Sequence, residues 1–309
     1  MKRSRAAALI ASAPFARALA ATAQTPVIRI ATAPADSYAE PFFAADAGFF
    51  TRAGLNVDLT LLPNGGAVTQ AMAGNAVDVG IADPINVANA INAGFPVAIL
   101  AGCGLYSSDA PTTLLLVPKN SPLRLPKDLE GQTIGVVALA SISSLALQDW
   151  LRANNVDVHK VSFIEMPFPT MVPAMEAGRI GAALLSEPFI TDGRSETRVF
   201  GKPFDAVAKS FYISVWFATQ TWIGKNPETA KHLVQTIYET ARWANGHHSD
   251  TAPILVKYTK ADPVRTQSMT RVMFATSLDL SRIQPVIDAG YRHNQLQKPV
   301  RAADIIARL

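Results

Sequence analysis

Apolar residues along the chain follow two periods in turn. An apolar run at 27–33 has strand character, and at 41–52 Phe42, Ala45 and Phe49 share one helical face before Gly54 stops the pattern. Residues 55–62 read as a strand, Asn64-Gly65-Gly66 leads into a short helix over 67–73, and Val77, Val79 and Ile81 alternate as a strand. Asp83-Pro84 opens a helix with Ile85, Ala88 and Ile91 in register, Gly94 stops it, and 96–101 is a further strand. Strands alternating with helices predict a mostly parallel sheet covered on both faces.

The same grammar restarts after Thr113. Strands at 114–117, 134–137, 161–166 and 182–185 alternate with a helical turn at 127–131 and helices at 143–153 and 171–177. A local repeat marks the two halves: Ala73-Gly74 leads through a strand to Asp83-Pro84, and Ala177-Gly178 leads through a strand to Glu187-Pro188. After a strand at 213–219 the chain turns helical. Asn226 suits an N-cap with Pro227 at the first position, and Leu233, Val234, Ile237, Ala241 and Ala244 form one stripe. Further helices are expected at 263–276 and 280–295. This tail cannot build a third sheet domain, so it is expected to pack back onto the first unit. The predicted fold is α/β and two-lobed, each lobe a mostly parallel sheet flanked by helices. Residues 24–112 with 214–309 make one lobe and 113–213 the other, with two crossover strands near 104–113 and 205–214.

The beginning of the chain stands apart. Lys2, Arg3 and Arg5 precede an apolar stretch at 6–15, and Ala21-Thr22-Ala23 fits a small-x-small cleavage site, so 1–23 reads as an export signal and the mature chain as periplasmic. That segment, with Arg17, holds four cations and no acid, so the net charge of +4 belongs to it and the remainder is balanced. Basicity therefore gives no reason to expect a nucleic-acid partner. Cys103 is the single cysteine, which excludes an intrachain disulfide or a cysteine-rich metal cluster and reads as a buried thiol. The elbow, phosphate-loop, dinucleotide and zinc-protease motifs are absent, His247-His248 reads as a solvated helix end, and neither cofactor nor metal is expected.

In open parallel sheets ligands bind beyond the C-terminal ends of the strands, and two such sheets facing each other make a cleft. The candidate contacts lie on the loops there. Tyr38 follows the first strand. Asn64, Gly65 and Gly66 start a helix, where free amides favour an anion and glycine permits close approach; a plain strand-to-helix turn fits equally. Ser141, Ser143 and Ser144 open another helix, one as its cap and the others as donors to ligand oxygens. Asp83 and Glu187 each precede a proline and serve either as helix caps or as acceptors from a ligand. Thr170 sits on the loop near Phe168, and Trp216 near the return crossing. Phe42, Phe168 and Phe189 are weaker wall candidates, since aromatics at helical spacing more often fill the core.

The sequence resembles the periplasmic substrate-binding proteins for sulfonates, nitrate and taurine, a family that includes binders of thiamine-pyrimidine precursors. The residues carrying the likeness are Pro41-Phe42-Phe43, Gly48-Phe49-Phe50, Gly54-Leu55-Asn56-Val57, Asn64-Gly65-Gly66 and 77–82, then 128–136 and Leu185-Ser186-Glu187-Pro188-Phe189; residues 220–309 match only in helical character. The resemblance implies a two-lobed, hinge-closing periplasmic-binding-protein fold of type II. It implies a small-molecule ligand, an importer permease with its ATPase as partner, no catalysis, and a monomer. It places ligand contacts at Tyr38, Gly65-Gly66, Ser141–Ser144 and Glu187. The expected ligand is a small anionic, sulfonate-like or polar aromatic compound, although no cleft arginine or lysine is evident; an organic acid or a heterocycle stays open. A ligand-sensing receptor partner is the alternative. An enzyme of the thiamine-pyrimidine type would need a cysteine-rich motif that a chain with Cys103 alone lacks.

Overall fold

The computed structural model describes residues 26–309, so the export segment expected at 1–23 lies outside the described residues. Among the described residues the strands are β1 (Ile28–Thr32), β2 (Val57–Leu61), β3 (Val79–Ala82), β4 (Val97–Gly102), β5 (Gly104–Ser107), β6 (Thr113–Pro118), β7 (Thr133–Val136), β8 (Ser162–Glu165), β9 (Ala182–Ser186), β10 (Thr197–Gly201), β11 (Ser210–Tyr212), β12 (Val215–Thr219) and β13 (Met273–Phe274). They form two five-stranded sheets, in the orders β2-β1-β3-β12-β4 and β8-β7-β9-β6-β10.

The two sheets follow one plan. In each, three strands pair in parallel and the fourth in order, β12 or β6, runs against its neighbours. That reversed strand is in both cases the one by which the chain arrives from the other lobe, β6 on the way out and β12 on the return. The crossing strands β5 and β11 pair antiparallel beside β13 as a small third sheet. The fold is thus the two-lobed α/β arrangement that strand–helix alternation predicts, with β5, β10, β11 and β13 as additions. All four pair with chain far away in sequence rather than showing a period of their own.

Both faces of the sheets are covered, as parallel pairing requires. Along β6, Leu114 and Leu116 join a cluster with Met171, Met175 and Phe189, while Leu115 and Val117 join the main core on the other face. The C-terminal tail closes the first lobe. The helix Pro227–Gly246 buries Leu233, Ile237, Ala241 and Ala244, and the helix Glu40–Asp46 lies against it, with Phe42 stacked 4.0 Å from Tyr258 and Phe43 edge-on to Phe274.

Three local expectations are corrected. The helix read at 41–52 is two, Glu40–Asp46 and Phe49–Arg52, because Gly48 takes a left-handed backbone with φ 77° between them. The helix read at 263–276 is limited to Pro263–Thr266, after which the chain extends to give β13. Asn226 does not cap the helix that follows it: its side chain donates to the Trp222 carbonyl, closing the preceding helix Gln220–Lys225.

The crossing strand β5 begins where the backbone has no room for a side chain. A Cβ on Gly104 would lie 2.6 Å from the Ser37 carbonyl oxygen and 2.9 Å from Ser37 Cα. Ser214 at the return crossing locks the same contact, accepting from Gly104 N at 2.9 Å and donating to the Ser37 carbonyl. Gly104→Ala is expected to destabilise the chain by about 1–3 kcal/mol through overpacking. Urea unfolding checks this, and an unchanged midpoint would show that the contact yields freely.

Candidate functional site

Strands of a parallel sheet all end at one edge, and helices begin there with four unpaired N–H groups each. The C-terminal edges of β1, β2 and β3 face those of β7, β8 and β9 across a cavity of about 40 Å³. On the measure by which one water needs ~10–15 Å³, this holds a few waters. The walls come from the turn after β1 (Pro34, Ser37, Tyr38), from Asn64 and Asp83, from the segment after β7 (Val137, Ala138, Ser141, Ile142, Ser143), and from Phe168, Ser186, Phe204 and Ile213.

Asp83 is the joint of this site. It caps the helix Pro84–Asn92, its Oδ1 accepting from Asn86 N at 2.8 Å, and its Oδ2 accepts from Ile142 N at 3.2 Å, the first residue of the helix Ile142–Ala153 in the other lobe. Ser141, which stands at the N-cap of that second helix, does not cap it; its hydroxyl turns back to the Ala138 carbonyl at 2.8 Å. One carboxylate thus serves two helix starts belonging to two lobes. Other bonds run beside it: Asn86 Nδ2 to the Ala140 carbonyl at 2.8 Å, Asn64 Nδ2 to the Val137 carbonyl at 3.3 Å, and Asp36 N to the Glu187 carbonyl at 3.1 Å. At another point of the rim, Arg292 reaches Asp149 at 3.0 Å, and His293 bonds the same carboxylate.

The structure brings Tyr38, Asn64, Asp83, Ser141 and Ser143 to the cavity and leaves six other candidates away from its wall. Gly65 and Gly66 stand one step behind Asn64. A Cβ on Gly65 would meet Asn86 Oδ1 at 2.9 Å and Ala82 Cα at 3.1 Å, so its smallness serves helix packing. Ser144 is buried and accepts from Gln148 Nε2 at 3.3 Å. Thr170 is exposed, its hydroxyl bonded to the Pro167 carbonyl at 2.7 Å. Glu187 is buried and accepts from Thr191 N at 3.0 Å and Thr191 Oγ1 at 2.9 Å, holding the start of the helix Phe189–Asp192. Trp216 is fully buried in the middle of the first sheet, its indole N–H donating to Glu40 Oε2 at 2.6 Å.

Sequence reasoning missed Ser186, Phe204 and Ile213. Ser186 had a signal, its place beside the acid-proline corner. Phe204 and Ile213 lie on the return crossing, and nothing local marks them as wall residues.

The buried carboxyls have altered acidity. Burial pushes Asp83 up to about 7, against the pull of the Asn86 and Ile142 amides. Burial likewise raises Glu187 to about 7, with Thr191 opposing, and Glu40 to about 8, with Trp216 opposing. Burial, then the charge of Asp83, also raises the Tyr38 phenol, so it stays a neutral donor. A carboxyl whose folded pKa exceeds its unfolded value binds a proton more tightly in the native state. Stability from these groups therefore falls as pH rises from about 5 to about 8. His248, whose folded pKa is lowered by burial, works in the opposite sense. Glu40→Gln is expected to flatten the slope of unfolding free energy between pH 5 and pH 8 by up to ~1 kcal/mol per pH unit. Urea titrations at the two pH values measure it, and a variant with the wild-type slope would assign the titration elsewhere.

Comparison with known proteins agrees with the fold. Residues 37–250 match the NMT1/THI5-like family model. A putative ABC transporter periplasmic binding protein of Brachyspira hyodysenteriae is 29% identical over 148 residues, which is 44% of this chain and 41% of that relative, so the match spans under half of the relative's length. The ligand-binding component of an ABC-type import system from Staphylococcus aureus superposes with a TM-score of 0.79 at 15% identity, covering 91% of this chain and 96% of that one. The alkanesulfonate-binding protein SsuA of Xanthomonas axonopodis pv. citri, bound to MOPS, gives 0.76 at 16% identity, covering 92% and 99%. At such identities the neighbours show the fold, which is that of the periplasmic binding proteins. The family match covers well over half of the sequence, and the chain belongs to the NMT1/THI5-like family.

Proposed function

We propose that this chain is the extracytoplasmic solute-binding component of an ABC importer, which captures a small organic molecule between its lobes and presents the closed form to a permease. The observation that carries the reading is the cavity at the facing C-terminal edges of two parallel sheets, bridged by hydrogen bonds between the lobes. An exported, monomeric chain of two lobes, 24–112 with 214–309 and 113–213, fits this role. Tyr38, Asn64, Asp83, Ser141 and Ser143 are its proposed polar contacts, with Phe168, Phe204 and Ile213 as apolar wall. The binding proteins among the relatives and fold neighbours support the class, and the sulfonate-binding neighbour keeps sulfonates among the ligands to be tried.

The physics of capture follows from the bridges. Each amide-to-carbonyl or amide-to-carboxylate bond across the cleft replaces bonds to water and contributes about 0.5–3 kcal/mol net. A ligand touching both walls adds to one side of this balance and so shifts it toward closure. The cavity, far below the ~300–1,000 Å³ of a typical ligand pocket, requires the lobes to part for entry.

A thermal-shift screen of carboxylates, sulfonates, amines, amides and heterocycles is expected to find a solute that stabilises the chain, by ~2.7 kcal/mol at a hundredfold excess over Kd. Scattering with that solute is expected to show a radius of gyration smaller than without it, and the Asn64→Ala, Ser143→Ala pair to weaken binding at least tenfold. A screen with no stabilising solute, or a hit indifferent to both substitutions, would overturn the reading.

A further inference from the structure

The lining of the cleft has one charge. Asp83 is the only ionisable acid or base of the Asp, Glu, Lys, Arg or His types among the described residues that line the cavity, and the rest of its wall is apolar or neutral. That charge sits at a particular point. The helix Ile142–Ala153 has twelve residues, and its first amide is the natural seat for a ligand anion, where unpaired N–H groups and the helix dipole converge. Here the protein fills that seat with its own carboxylate, 3.2 Å from Ile142 N and 98% shielded from solvent. The start of the helix Pro84–Asn92 is satisfied by the other oxygen of the same group. With the Ile85 amide, which also bonds this carboxylate, three of its roughly four acceptor positions are taken. The one that remains can accept from a ligand.

The geometry points to Asp83 as the residue that sets ligand charge: the cleft takes an uncharged or cationic molecule with an N–H or O–H donor, on a ring or chain that suits the apolar walls, and rejects carboxylates and sulfonates. The inference rests on the binding-protein reading given above and narrows its ligand class. With Asp83 ionised, an incoming anion would lie against a like charge that is itself buried, with no lysine, arginine or histidine on the wall to offset it. A donor gains a charge-assisted hydrogen bond in the same place. Phe168, Phe204 and Ile213 supply the apolar surface that an aromatic or alicyclic body would cover.

The test varies headgroup charge on one ring. Benzenesulfonate, benzoate, benzamide and benzamidine are titrated calorimetrically at pH 8.5, above the value of about 7 to which burial raises Asp83, into the full chain and into Asp83→Asn, with a thermal-shift panel of amines, amides, carboxylates and sulfonates run in parallel. Benzamide or benzamidine is expected to bind the wild type at least tenfold more tightly than either anion. In Asp83→Asn the ratio is expected to shrink below threefold, because the amide can also donate to an anion. Should that variant not fold, Asp83→Ser takes its place, since serine keeps a capping oxygen. If none of the four rings binds, the charge of the panel's best stabiliser decides: an amine or amide upholds the assignment and an anion overturns it. An anion bound most tightly, or a ratio indifferent to the substitution, overturns the role of Asp83 and leaves the binding function standing. A panel in which nothing stabilises the chain overturns both.

Discussion

A helix that begins at the edge of a parallel sheet leaves N–H groups that must find partners once water is excluded. In this protein two such helices, Pro84–Asn92 and Ile142–Ala153, begin opposite each other in different lobes and share one carboxylate. Burying Asp83 costs free energy, which is why its acidity weakens; the Asn86 amide of its own helix offsets part of that cost within one lobe, and the Ile142 amide adds to it from the other. When they part, water can serve the carboxylate and Ile142 N alike. The bridges at the cavity are modest, exchangeable hydrogen bonds. That is the condition under which a small molecule can tip the balance.

The rigidity behind this hinge comes from the far end of the chain. Asp36, in the turn that shapes the cavity wall, forms a buried ion pair with Arg271 at 3.0 Å and accepts from Val272 N at 2.8 Å. Arg271 is held in turn by Thr251 Oγ1 at 2.9 Å. Four residues on from Asp36, Glu40 ties the start of the helix Glu40–Asp46 to Trp216. A buried pair of this kind is weak evidence for stability, because desolvation opposes the Coulomb attraction; its geometry fixes where the turn sits. The C-terminal segment before β13, braced by the helix His248–Thr259, thus positions the turn that carries Tyr38.

Much of the scaffold was legible because period reports burial directly. The strands from β1 to β4 and from β7 to β9 stand near where alternation and apolar runs put them, and the repeat ending in Asp83-Pro84 and Glu187-Pro188 marks equivalent strands β3 and β9. Short strands such as β5 and β13 carry no period, and their partners are set by tertiary pairing. The site was legible as loops and less so as residues. The rule that ligands gather at strand ends leads to Asp83, Asn64 and Ser141. It cannot tell a side chain aimed at the gap from one turned inward, as with Trp216, whose partner Glu40 is 176 residues away. Gly65 misled for a related reason: glycine permits close approach, and here what approaches is Asn86.

A group that holds the scaffold is a robust place to read ligand charge. Residues such as Phe168 or Ile213 can change size and remodel the cavity without touching either helix start. Asp83 cannot be replaced so freely, since a residue there must satisfy amides on both sides of the gap or leave them buried and unpaired, at about 1–3 kcal/mol each. Shape and charge are thus carried by different parts of the wall. Variation of the apolar wall would change which body fits while the demand for a donor persisted. Within a fold that serves many ligands, function has to be argued from such a site and not from the architecture around it. In this chain one carboxylate occupies the position where an anion would otherwise bind.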